Sequence, residues 1–407
     1  MPGIMLKSCP KVYMLETHRS KTPADTLRFV ERVKEATGMM SFRNATDVDR
    51  IGIQVFTCDR RRPDGSLTSH TGKGVSAIQA QVSITMEAIE RYCSEFRQEY
   101  LEKLVKGPYR ELRSRFNVLD PEEMILSQFN DYRPDKDIYW AWGYDIARKE
   151  DVLVPACAVY HPFHEDQTRL INTNTNGVAA GNTMEEAVIH GLAEVIERDA
   201  WSIAQYTRRF NDAIFIEDGP ANEFIVGVLE KFERAGVEVV AKDLTTDVGM
   251  PVVAAFSQDL KYRTMAPVDG FGAHLDPRVA TVRALLEIAT TRVLLLQKYG
   301  IEGVCDTPPL YMRDCEEEED PRFFAYDQKG INELEVGYST DIYEDIMKVV
   351  AGLRACGLER VIAVDLTRPD MGIPTVRMVV PGMEAFCFDK TRIGRRAQTA
   401  FEDDPYR

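Results

Sequence analysis

The sequence lacks several patterns that would assign a protein to a well-known class at once. Its eight cysteines are dispersed and never form a Cys-x-x-Cys pair, which excludes the common zinc and iron–sulfur spacings. The one close histidine pair, His161 and His164, does not by itself indicate a zinc site. We expect the cysteines, Cys387 included, to be reduced thiols with structural roles.

Long apolar runs and an excess of positive charge are also missing. No run approaches the roughly 18 to 20 apolar residues that span a bilayer, and the start of the chain has no signal-like apolar block. The net charge of -15 argues against nucleic acid or an anionic membrane as the main partner. We therefore expect a cytoplasmic protein that binds neither nucleic acid nor membrane.

The pattern of apolar residues predicts strands mixed with long helices over 407 residues. Thr22 and Pro23 are the residue types of a helix start. Further helices are expected at 75–104, 184–207, 221–235, 277–299 and 341–355. Strands are expected at 51–58, 151–160, 237–243, 251–257, 263–275 (the last with a glycine loop), 360–366 and 374–380, and polar loops at 60–74 and 172–183.

These elements do not alternate as regular βαβ units, so the expected class is α+β, with mixed sheets packed by long helices. No low-complexity linker divides the chain, and residues 1–407 are expected to form a single domain with internal subdomains. The acidic run at 316–320 is expected in a solvated loop or helix start.

A Glu-x-x-Glu-Arg motif occurs twice, at 87–91 and 194–198, each time inside an otherwise apolar helical stretch. Side chains three or four residues apart share one face of a helix. The polar stripe of the first helix contains Ser83, Glu87, Glu90 and Arg91. The matching stripe of the second helix contains Glu186, His190, Glu194, Glu197 and Arg198.

A third and weaker copy follows, with Arg283 and Glu287 one helical turn apart. The segments 177–194 and 270–287 both run 17 residues from a glycine to a glutamate. The first copy, 74–87, runs only 13 residues, so we expect it to be shorter by about one helical turn. The sequence therefore predicts a loop–helix unit that occurs three times.

Two explanations fit such buried charges. Interhelical Glu–Arg salt bridges are the simpler one for a single motif. With two motifs plus Arg283 and Glu287, the acids outnumber the arginines, and buried carboxylates must be paired or metal-bound. Mg²⁺ takes oxygen ligands and commonly bridges substrate phosphates, so the excess of acid favours a site for Mg²⁺ and a polyphosphate.

Glycine-containing segments precede the first two helices, at 71–74 and 176–183. They do not match a Walker A loop. Free N–H groups and the helix dipole nevertheless make helix starts anion sites, and Lys73 is placed to reach a phosphate. We therefore expect phosphate-binding loops ahead of the helices.

Together these motifs resemble those of the YcaO superfamily. The stripe at 83–91 is similar to its first ATP-binding motif, the segment 176–199 to its second, and Arg283-Ala284-Leu285-x-Glu287 to its third. The segment 364–384 is also similar to the C-terminal half of the family. The resemblance covers the chain from about Thr17 to Glu384.

The resemblance implies a YcaO-like fold with ATP and Mg²⁺ as cofactors. Family members use ATP to phosphorylate the oxygen of a backbone amide, after which a nucleophile adds to the carbonyl carbon. A Cys, Ser or Thr side chain then gives an azoline ring, whereas sulfide gives a thioamide.

Carried over position by position, the resemblance implies that Mg²⁺ is held by Glu87, Glu90, Glu194 and Glu197. It implies that ATP is contacted by Ser83, Glu186, Arg198 and Arg283, with Asn182 and Arg19 as further contacts. No residue of the chain is assigned as a catalytic nucleophile.

Two departures from the family pattern bear on the reaction. Thr290 stands where the third helix of the family often carries Gln, so the resemblance implies no ATP contact at this position. The chain ends at Arg407 without the proline-rich tail of many azoline-forming members. The resemblance is therefore to the stand-alone, thioamide-forming type, whose best-known substrate is a glycine in the α subunit of methyl-coenzyme M reductase of methanogens.

The partners implied are a protein or peptide substrate, sulfide or another sulfur donor, a TfuA protein as in some relatives, and a second copy in a homodimer. Two alternatives stay open. One is an azoline-forming cyclodehydratase acting on Cys, Ser or Thr peptides. The other is a nucleotide-binding accessory protein of another modification enzyme.

Overall fold

The structure is a computed structural model that describes residues 4–62, 64–210, 212–306, 323 and 327–403. The acidic run at 316–320, Cys315 and residues 404–407 lie outside these ranges. The seven cysteines inside them are free thiols, as expected. In the described part of the chain, none of the helices combines the length and the apolar composition of a membrane span.

The α-helices are α1 (Pro23–Glu31), α2 (Ala77–Ser94), α3 (Tyr109–Leu112), α4 (Met184–Thr207), α5 (Glu223–Arg234), α6 (Pro277–Asp306), α7 (Ile342–Ala355) and α8 (Arg395–Glu402). The strands are β1 (Tyr13–Met14), β2 (His18–Arg19), β3 (Met39–Asn44), β4 (Gln54–Arg61), β5 (Leu67–Gly74), β6 (Val105–Pro108), β7 (Asp137–Asp145), β8 (Glu150–Pro155), β9 (Val178–Ala180), β10 (Asp212–Phe215), β11 (Val237–Asp243), β12 (Val252–Asp259), β13 (Val268–Ala273), β14 (Asp327–Gly330), β15 (Ile362–Asp365) and β16 (Thr375–Val379).

The strands form four sheets. Strands β1 and β2 form a small hairpin, and β3, β4 and β5 form an antiparallel sheet in that order. A six-stranded sheet has the order β6-β7-β15-β16-β9, with β8 on the other edge of β7. A five-stranded sheet has the order β13-β12-β11-β10-β14, in which only β10 and β14 run parallel. The mixture of sheets and long helices is the expected α+β class.

Helix α4 lies at the centre of the molecule. Its apolar residues, including Leu192 and Ile196, are fully buried against β12, β16 and α7. Its start is capped by Thr183, whose hydroxyl accepts a hydrogen bond from the Glu186 N–H at 3.2 Å. This local signal placed the predicted boundary correctly.

Several other boundaries were also predicted well. Thr22 caps α1 and Pro23 occupies its first turn, as the sequence indicated. Helix α6 was expected to end near Tyr299, and its continuation to Asp306 has a kink at Gly300, where φ is 65°. A glycine tolerates this positive φ without strain, so the chain bends and then resumes the helix.

The predicted loop at 60–74 was wrong, because residues 67–74 form β5. This strand pairs with β4 residue by residue, from Arg61 opposite Leu67 to Gln54 opposite Gly74. Its outward residues are exposed and polar, so the composition resembled a loop. Hydrogen bonding to β4, which composition does not reveal, determines the strand.

The predicted helix at 75–104 was too long, since α2 ends at Ser94. The next residue, Glu95, has an extended backbone. Its carboxylate accepts hydrogen bonds from both terminal nitrogens of Arg60, at 2.6 and 2.7 Å. This buried ion pair draws the chain away from the helix axis. The central strand β7 was not predicted at all.

Candidate active site

Strand–helix units build the site: β5 with α2, β9 with α4, and β13 with α6. In the first and third units a glycine lets the strand touch the helix backbone. A Cβ atom on Gly72 would lie 2.3 Å from the carbonyl oxygen of Ala80, and one on Gly272 would lie 2.1 Å from that of Ala280. No side chain fits at such distances, so these glycines permit the close packing.

In the second unit the strand–helix contact is made by a glycine that corresponds to Gly74 rather than to Gly72. A Cβ atom on Gly74 would lie 2.7 Å from the Ala80 nitrogen, and one on Gly181 would lie 2.5 Å from the Ala187 nitrogen. Gly74 and Gly181 are therefore equivalent positions of the first and second units.

These contacts fix the register of the repeat and correct the sequence alignment. Gly72 and Gly272 each precede their glutamate, Glu87 or Glu287, by 15 residues, so the first unit is not shorter. The expectation of a missing helical turn was wrong because it took Gly74 as the start of the unit. In the corrected register the first glutamates are Glu87, Glu194 and Glu287, and one turn before them stand Ser83, His190 and Arg283.

The glycines also differ from their predicted role. Gly72, Gly74 and Gly272 belong to strands or strand ends rather than to phosphate-binding loops. Strand N–H groups nevertheless point at the carboxylates. The Ala180 N–H donates to Glu90 at 2.9 Å, and the Phe271 N–H donates to Glu287 at 2.8 Å.

The structure brings five glutamates into one electrostatically coupled cluster, namely Glu87, Glu90, Glu194, Glu197 and Glu287. Three of them form ion pairs. Glu87 pairs with Arg91 at 3.5 Å, Glu197 with Arg198 at 3.3 Å, and Glu287 with Lys73 at 3.3 Å.

These pairs differ from the interhelical Glu–Arg bridges that a simple salt-bridged bundle would need. Among the described residues, the Glu–Arg pairs of both motifs lie within one helix, and Glu90 and Glu194 form no ion pair. The protein therefore leaves part of its acidic cluster without a counter-charge.

Nor do the described residues gather three or more ligand side chains in the arrangement of a bound metal ion. Assignment of Mg²⁺ to Glu87, Glu90, Glu194 and Glu197 thus stays a prediction. Glu87 and Glu287 keep 29% and 26% of their side-chain surface accessible, although they lie deep among protein atoms. Part of the surface of each of these two side chains therefore remains accessible to solvent.

The two glutamates of α2 have pKa values that are shifted in opposite directions. Burial alone would raise the pKa of Glu87, but a hydrogen bond with His70 and the charge of Arg91 outweigh it, and the pKa lies below its ordinary value. Burial raises the pKa of Glu90 to about 8, because the Ala180 N–H and Arg91 compensate only in part.

The pKa values of the glutamates on α4 and α6 are also shifted in opposite directions. Burial raises the pKa of Glu194, and repulsion from Glu287 adds to this effect. Burial also raises the pKa of Glu197 to about 7, although Arg198 opposes it. For Glu287, Lys73 and Arg198 outweigh burial and hold its pKa below the ordinary value.

Cations collect on one flank of this cluster. Burial, together with the charge of Arg19, lowers the pKa of Arg283 to about 9, while Glu197 opposes the shift. Within the described chain, neither arginine forms an ion pair. His190 lies beside them, and burial with their charges lowers its pKa well below the ordinary value. Its Nδ1 atom is buried without a hydrogen-bond partner.

These side chains enclose a small cavity of about 20 Å³. The polar lining consists of Lys11, His18, Arg19, His190, His274, Arg283 and Asp345. The cavity has room for about one water molecule. The two charge signs side by side nevertheless suit a ligand that carries a metal ion and phosphates together.

The start of α4 holds the N-terminal segment in place. Ser20 donates through its N–H and its hydroxyl to one oxygen of Glu186, at 2.5 and 2.6 Å. Asn182 donates through its N–H and Nδ2 to the other oxygen, each at 2.9 Å. Arg19 is thereby positioned beside α4, and the Oδ1 atom of Asn182 remains buried without a partner.

Two positions of the motifs, Asp199 and Thr290, make structural contacts and add no carboxylate to the cluster. Asp199 accepts from the Glu384 N–H at 2.8 Å and pairs with Arg396 at 3.0 Å, so it fastens α8 to α4 rather than facing the cluster. Thr290 occupies the position equivalent to Glu90 and donates to the Leu286 carbonyl at 3.0 Å. The third unit therefore contributes one carboxylate where the others contribute two.

The residues present fit Mg²⁺ with a nucleotide. The cluster offers carboxylate oxygens, which are the donor atoms that Mg²⁺ prefers. Burial raises the pKa values of Glu90 and Glu197, and a bound cation would stabilise their ionised forms. Arg19 and Arg283 lack carboxylate partners among the described residues and would balance phosphate charge.

A family model described as "YcaO cyclodehydratase, ATP- and Mg2+-binding" matches residues 71–384. The chain belongs to the YcaO family. ATP and Mg²⁺ are thus the cofactors of its family, as the sequence predicted. The YcaO structure from Methanopyrus kandleri, solved with AMPPCP and Mg²⁺, matches with a TM-score of 0.78 and 31% identity, covering 96% of this chain and 98% of that one.

Two curated relatives extend the comparison. An uncharacterized protein of Methanothermobacter thermautotrophicus is 37% identical over 389 residues, covering 93% of this chain and 98% of that protein. An uncharacterized protein in the tfuA 3′ region of Rhizobium leguminosarum bv. trifolii is 27% identical over 387 residues, covering 90% and 88%. The likeness to YcaO structures also confirms the predicted α+β fold.

The predicted site set omitted several residues that the structure brings to the cluster. Glu287 was visible in the third echo but was not assigned to the metal. His70 and Arg377 were missed. The available signal for Arg377 was a charge inside the otherwise apolar strand β16, between Val376 and Met378.

Proposed function

We propose that this protein uses ATP and Mg²⁺ to activate a backbone amide of a peptide or protein, and that sulfide then replaces the amide oxygen to give a thioamide. The substrate we propose is a glycine in the α subunit of methyl-coenzyme M reductase. The observation that carries the amide-activating part is the acidic cluster, with its cationic flank, on the repeated strand–helix units of a YcaO-family chain.

Each group of residues has a task in this proposal. Glu87, Glu90, Glu194, Glu197 and Glu287 would hold Mg²⁺. Ser83, Asn182, Glu186, Arg19, Arg198 and Arg283 would hold the nucleotide. Bound together, Mg²⁺ and ATP supply a phosphoryl group that turns the amide oxygen into a leaving group.

Within this chain, Arg198 is held for such a role. It pairs with Glu197, and its guanidinium lies over the ring of Trp201 at 5.1 Å. Trp201 is in turn stacked on Phe271, with ring centroids 4.2 Å apart. This stacking fixes the direction of the guanidinium, which favours a defined contact with a phosphate over a mobile one.

The choice of sulfide over a side-chain nucleophile is supported by the relatives. Two matches of more than 30% identity come from methanogens, and a third relative comes from a tfuA region. A TfuA partner and a homodimer belong to the same proposal. They are tested by co-purification and by the molar mass of the protein in solution.

A mass-spectrometric assay distinguishes the reactions. The protein is incubated with ATP, Mg²⁺, sulfide and a peptide that contains the target glycine of methyl-coenzyme M reductase. Replacement of oxygen by sulfur adds about 16 mass units. The gain should require both sulfide and ATP, and the Glu194→Gln variant should not produce it, whereas Glu233→Gln, an exposed change on α5, should.

The second candidate is azoline formation, which the family description favours because it names a cyclodehydratase. It predicts a loss of about 18 mass units from a peptide with Cys, Ser or Thr, without any need for sulfide. A third outcome, nucleotide binding without peptide-stimulated hydrolysis, would indicate an accessory protein of another enzyme. Either result would contradict thioamide formation.

A further inference from the structure

A second arginine, Arg377, interacts electrostatically with the carboxylate cluster. It projects from β16, which pairs with β15 and with the edge strand β9 of the six-stranded sheet, and it is only 6% exposed. Its charge is coupled mainly to Glu194, whereas that of Arg283 is coupled to Glu197. The cluster is therefore flanked by two different buried guanidinium groups.

Among the described residues, Arg377 takes part in no ion pair. Its two terminal nitrogens donate to the backbone oxygen and the side-chain oxygen of Asn174, at 2.7 and 3.1 Å. Its Nε atom has no hydrogen-bond partner, and in the described chain no carboxylate lies within ion-pair distance. Its main compensating charge, Glu194, is not in direct contact, so the buried Nε atom keeps an unused capacity to donate to an anion or an electron-rich oxygen.

Polar and charged groups surround Arg377. Arg91 faces it from the C-terminal part of α2. His161 faces both arginines, and burial together with their charges lowers its pKa. His161 is held through a hydrogen bond of 2.9 Å between its Nδ1 and the Thr173 hydroxyl.

We propose that Arg377 binds the carbonyl oxygen of the substrate's reacting amide. This inference rests on the proposed function and holds for either nucleophile. Here sulfide adds before the phosphoryl group is transferred, the reverse of the order that the family resemblance implies. When the sulfur of sulfide bonds to the carbonyl carbon, the π pair of the C=O bond moves onto the oxygen, which becomes anionic. That oxygen later departs within inorganic phosphate, with the phosphoryl group supplied by ATP, and the sulfur loses its proton as the C=S bond forms.

A fixed guanidinium beside this oxygen stabilises the charge where it develops. Hydrogen-bond donors of this kind contribute about 10²- to 10³-fold to turnover. Arg377 thus belongs to the substrate side of the site, and Arg283 to the nucleotide side. The two arginines should have separable effects.

The test compares Arg377→Gln and Arg377→Lys with the wild type and with Arg360→Lys. Arg360 is a buried arginine that pairs with Asp145 at 3.1 Å and is no part of the cluster. For Arg377→Gln we expect peptide-dependent turnover to fall by about 10²- to 10³-fold, with AMPPCP affinity in Mg²⁺ unchanged. Arg360→Lys should keep both.

Chemical rescue separates binding of the oxygen from a structural role. In Arg377→Ala, millimolar guanidinium should restore part of the peptide-dependent turnover. The melting temperature of this variant should not rise in parallel. Loss of AMPPCP binding in Arg377→Gln, or equal loss of turnover in Arg360→Lys, would show a structural effect and overturn the inference.

Failures of the two proposals are distinguishable. If the wild type modifies the peptide and Arg377→Gln does so equally well, only the role of Arg377 is wrong. If the wild type shows water loss in place of sulfur gain, thioamide formation fails while the Arg377 comparison still applies. If the wild type leaves the amide unchanged, both are contradicted.

Discussion

Two carboxyl groups of the cluster, those of Glu90 and Glu197, ionise less readily in the folded protein than in the unfolded chain. In the unfolded chain Glu90 and Glu197 titrate near 4.5, but burial raises the pKa of Glu90 to about 8 and that of Glu197 to about 7 in the folded protein. Between these limits the two carboxyl groups hold more protons in the folded chain than in the unfolded chain. Their contribution to the free energy of unfolding therefore falls as pH rises.

Below about pH 6.5 the lowered pKa values of His18, His161, His190 and His274 act in the opposite direction, because these side chains are protonated only in the unfolded chain. We therefore expect the metal-free, nucleotide-free protein to lose stability through Glu90 and Glu197 in the window from about pH 6.5 to about pH 8, as measured by thermal melting in EDTA. Glu87 and Glu287, whose pKa values are lowered, act below this window. They do not offset the loss.

The double variant Glu90→Gln, Glu197→Gln isolates this effect, because it removes both raised titrations. Its melting temperature should change less with pH than that of the wild type across the window, and Glu233→Gln should behave like the wild type. Parallel pH profiles for the wild type and the double variant would contradict the assignment.

At the residue scale, the sequence predicted the members of the acidic stripe because helical spacing is a local property. Glu87, Glu90, Glu194 and Glu197 lie together as expected. Arg377 was not predicted, because a single arginine in a strand carries no periodicity. Its neighbour Glu194 is 183 residues earlier in the chain, and only the sheet brings the two together.

At the scale of elements, glycines set how closely each strand meets its helix. This determines how deeply the polar stripe of the helix sits. In Gly272→Ala the new Cβ atom would lie 2.1 Å from the Ala280 oxygen and 2.8 Å from the Arg283 Cβ, so α6 must shift.

We expect Gly272→Ala to reduce the free energy of unfolding by about 1 to 3 kcal/mol, because overpacking forces the backbone apart. It should also weaken AMPPCP binding, since α6 carries Arg283 and Glu287. Denaturant melts and calorimetry measure the two effects.

Gly227→Ala is the matched control. Gly227 is exposed inside α5 with nothing within 4 Å of a new Cβ, so alanine should stabilise the helix by about 0.5 to 1 kcal/mol. If both substitutions had the same small effect, the close strand–helix packing would not control the site.

Element prediction succeeded where the signal was local and failed where pairing decided. The cap at Thr183 and the apolar face of α4 identified that helix almost to the residue. Strand β5 looked like a loop because its outer face is polar, and its conformation depends on β4. The repeat length was misread for the same reason: the equivalence of Gly72 and Gly272 is a packing contact.

At the scale of the whole molecule, the strand–helix units bring the acidic cluster into electrostatic contact with arginine and lysine side chains. A ligand that carries Mg²⁺ and phosphates should bridge α2, α4 and α6 and stabilise the folded state. Binding only to the folded state adds about 2.7 kcal/mol when the ligand is at 100 times its Kd.

For a chain of 407 residues this corresponds to a rise in melting temperature of roughly 3 °C. We expect AMPPCP with Mg²⁺ to give this shift, and EDTA to abolish it. Glu194→Gln should melt at or above the wild-type temperature without ligand, because like-charge repulsion falls, and should show no shift with ligand. A full shift in this variant would show that Glu194 does not contribute to binding.

The sequence by itself determined the parts of this protein that depend on local spacing: the polar stripes of the helices, several helix boundaries and the motifs of the YcaO family. The tertiary structure alone decided the length of the first repeat, the inclusion of His70 and Arg377 around the cluster, and which carboxylates form no ion pair. The physical reason is that spacing along a helix is a property of the backbone. Charge balance, in contrast, depends on which distant residues the sheets bring within a few ångströms of one another.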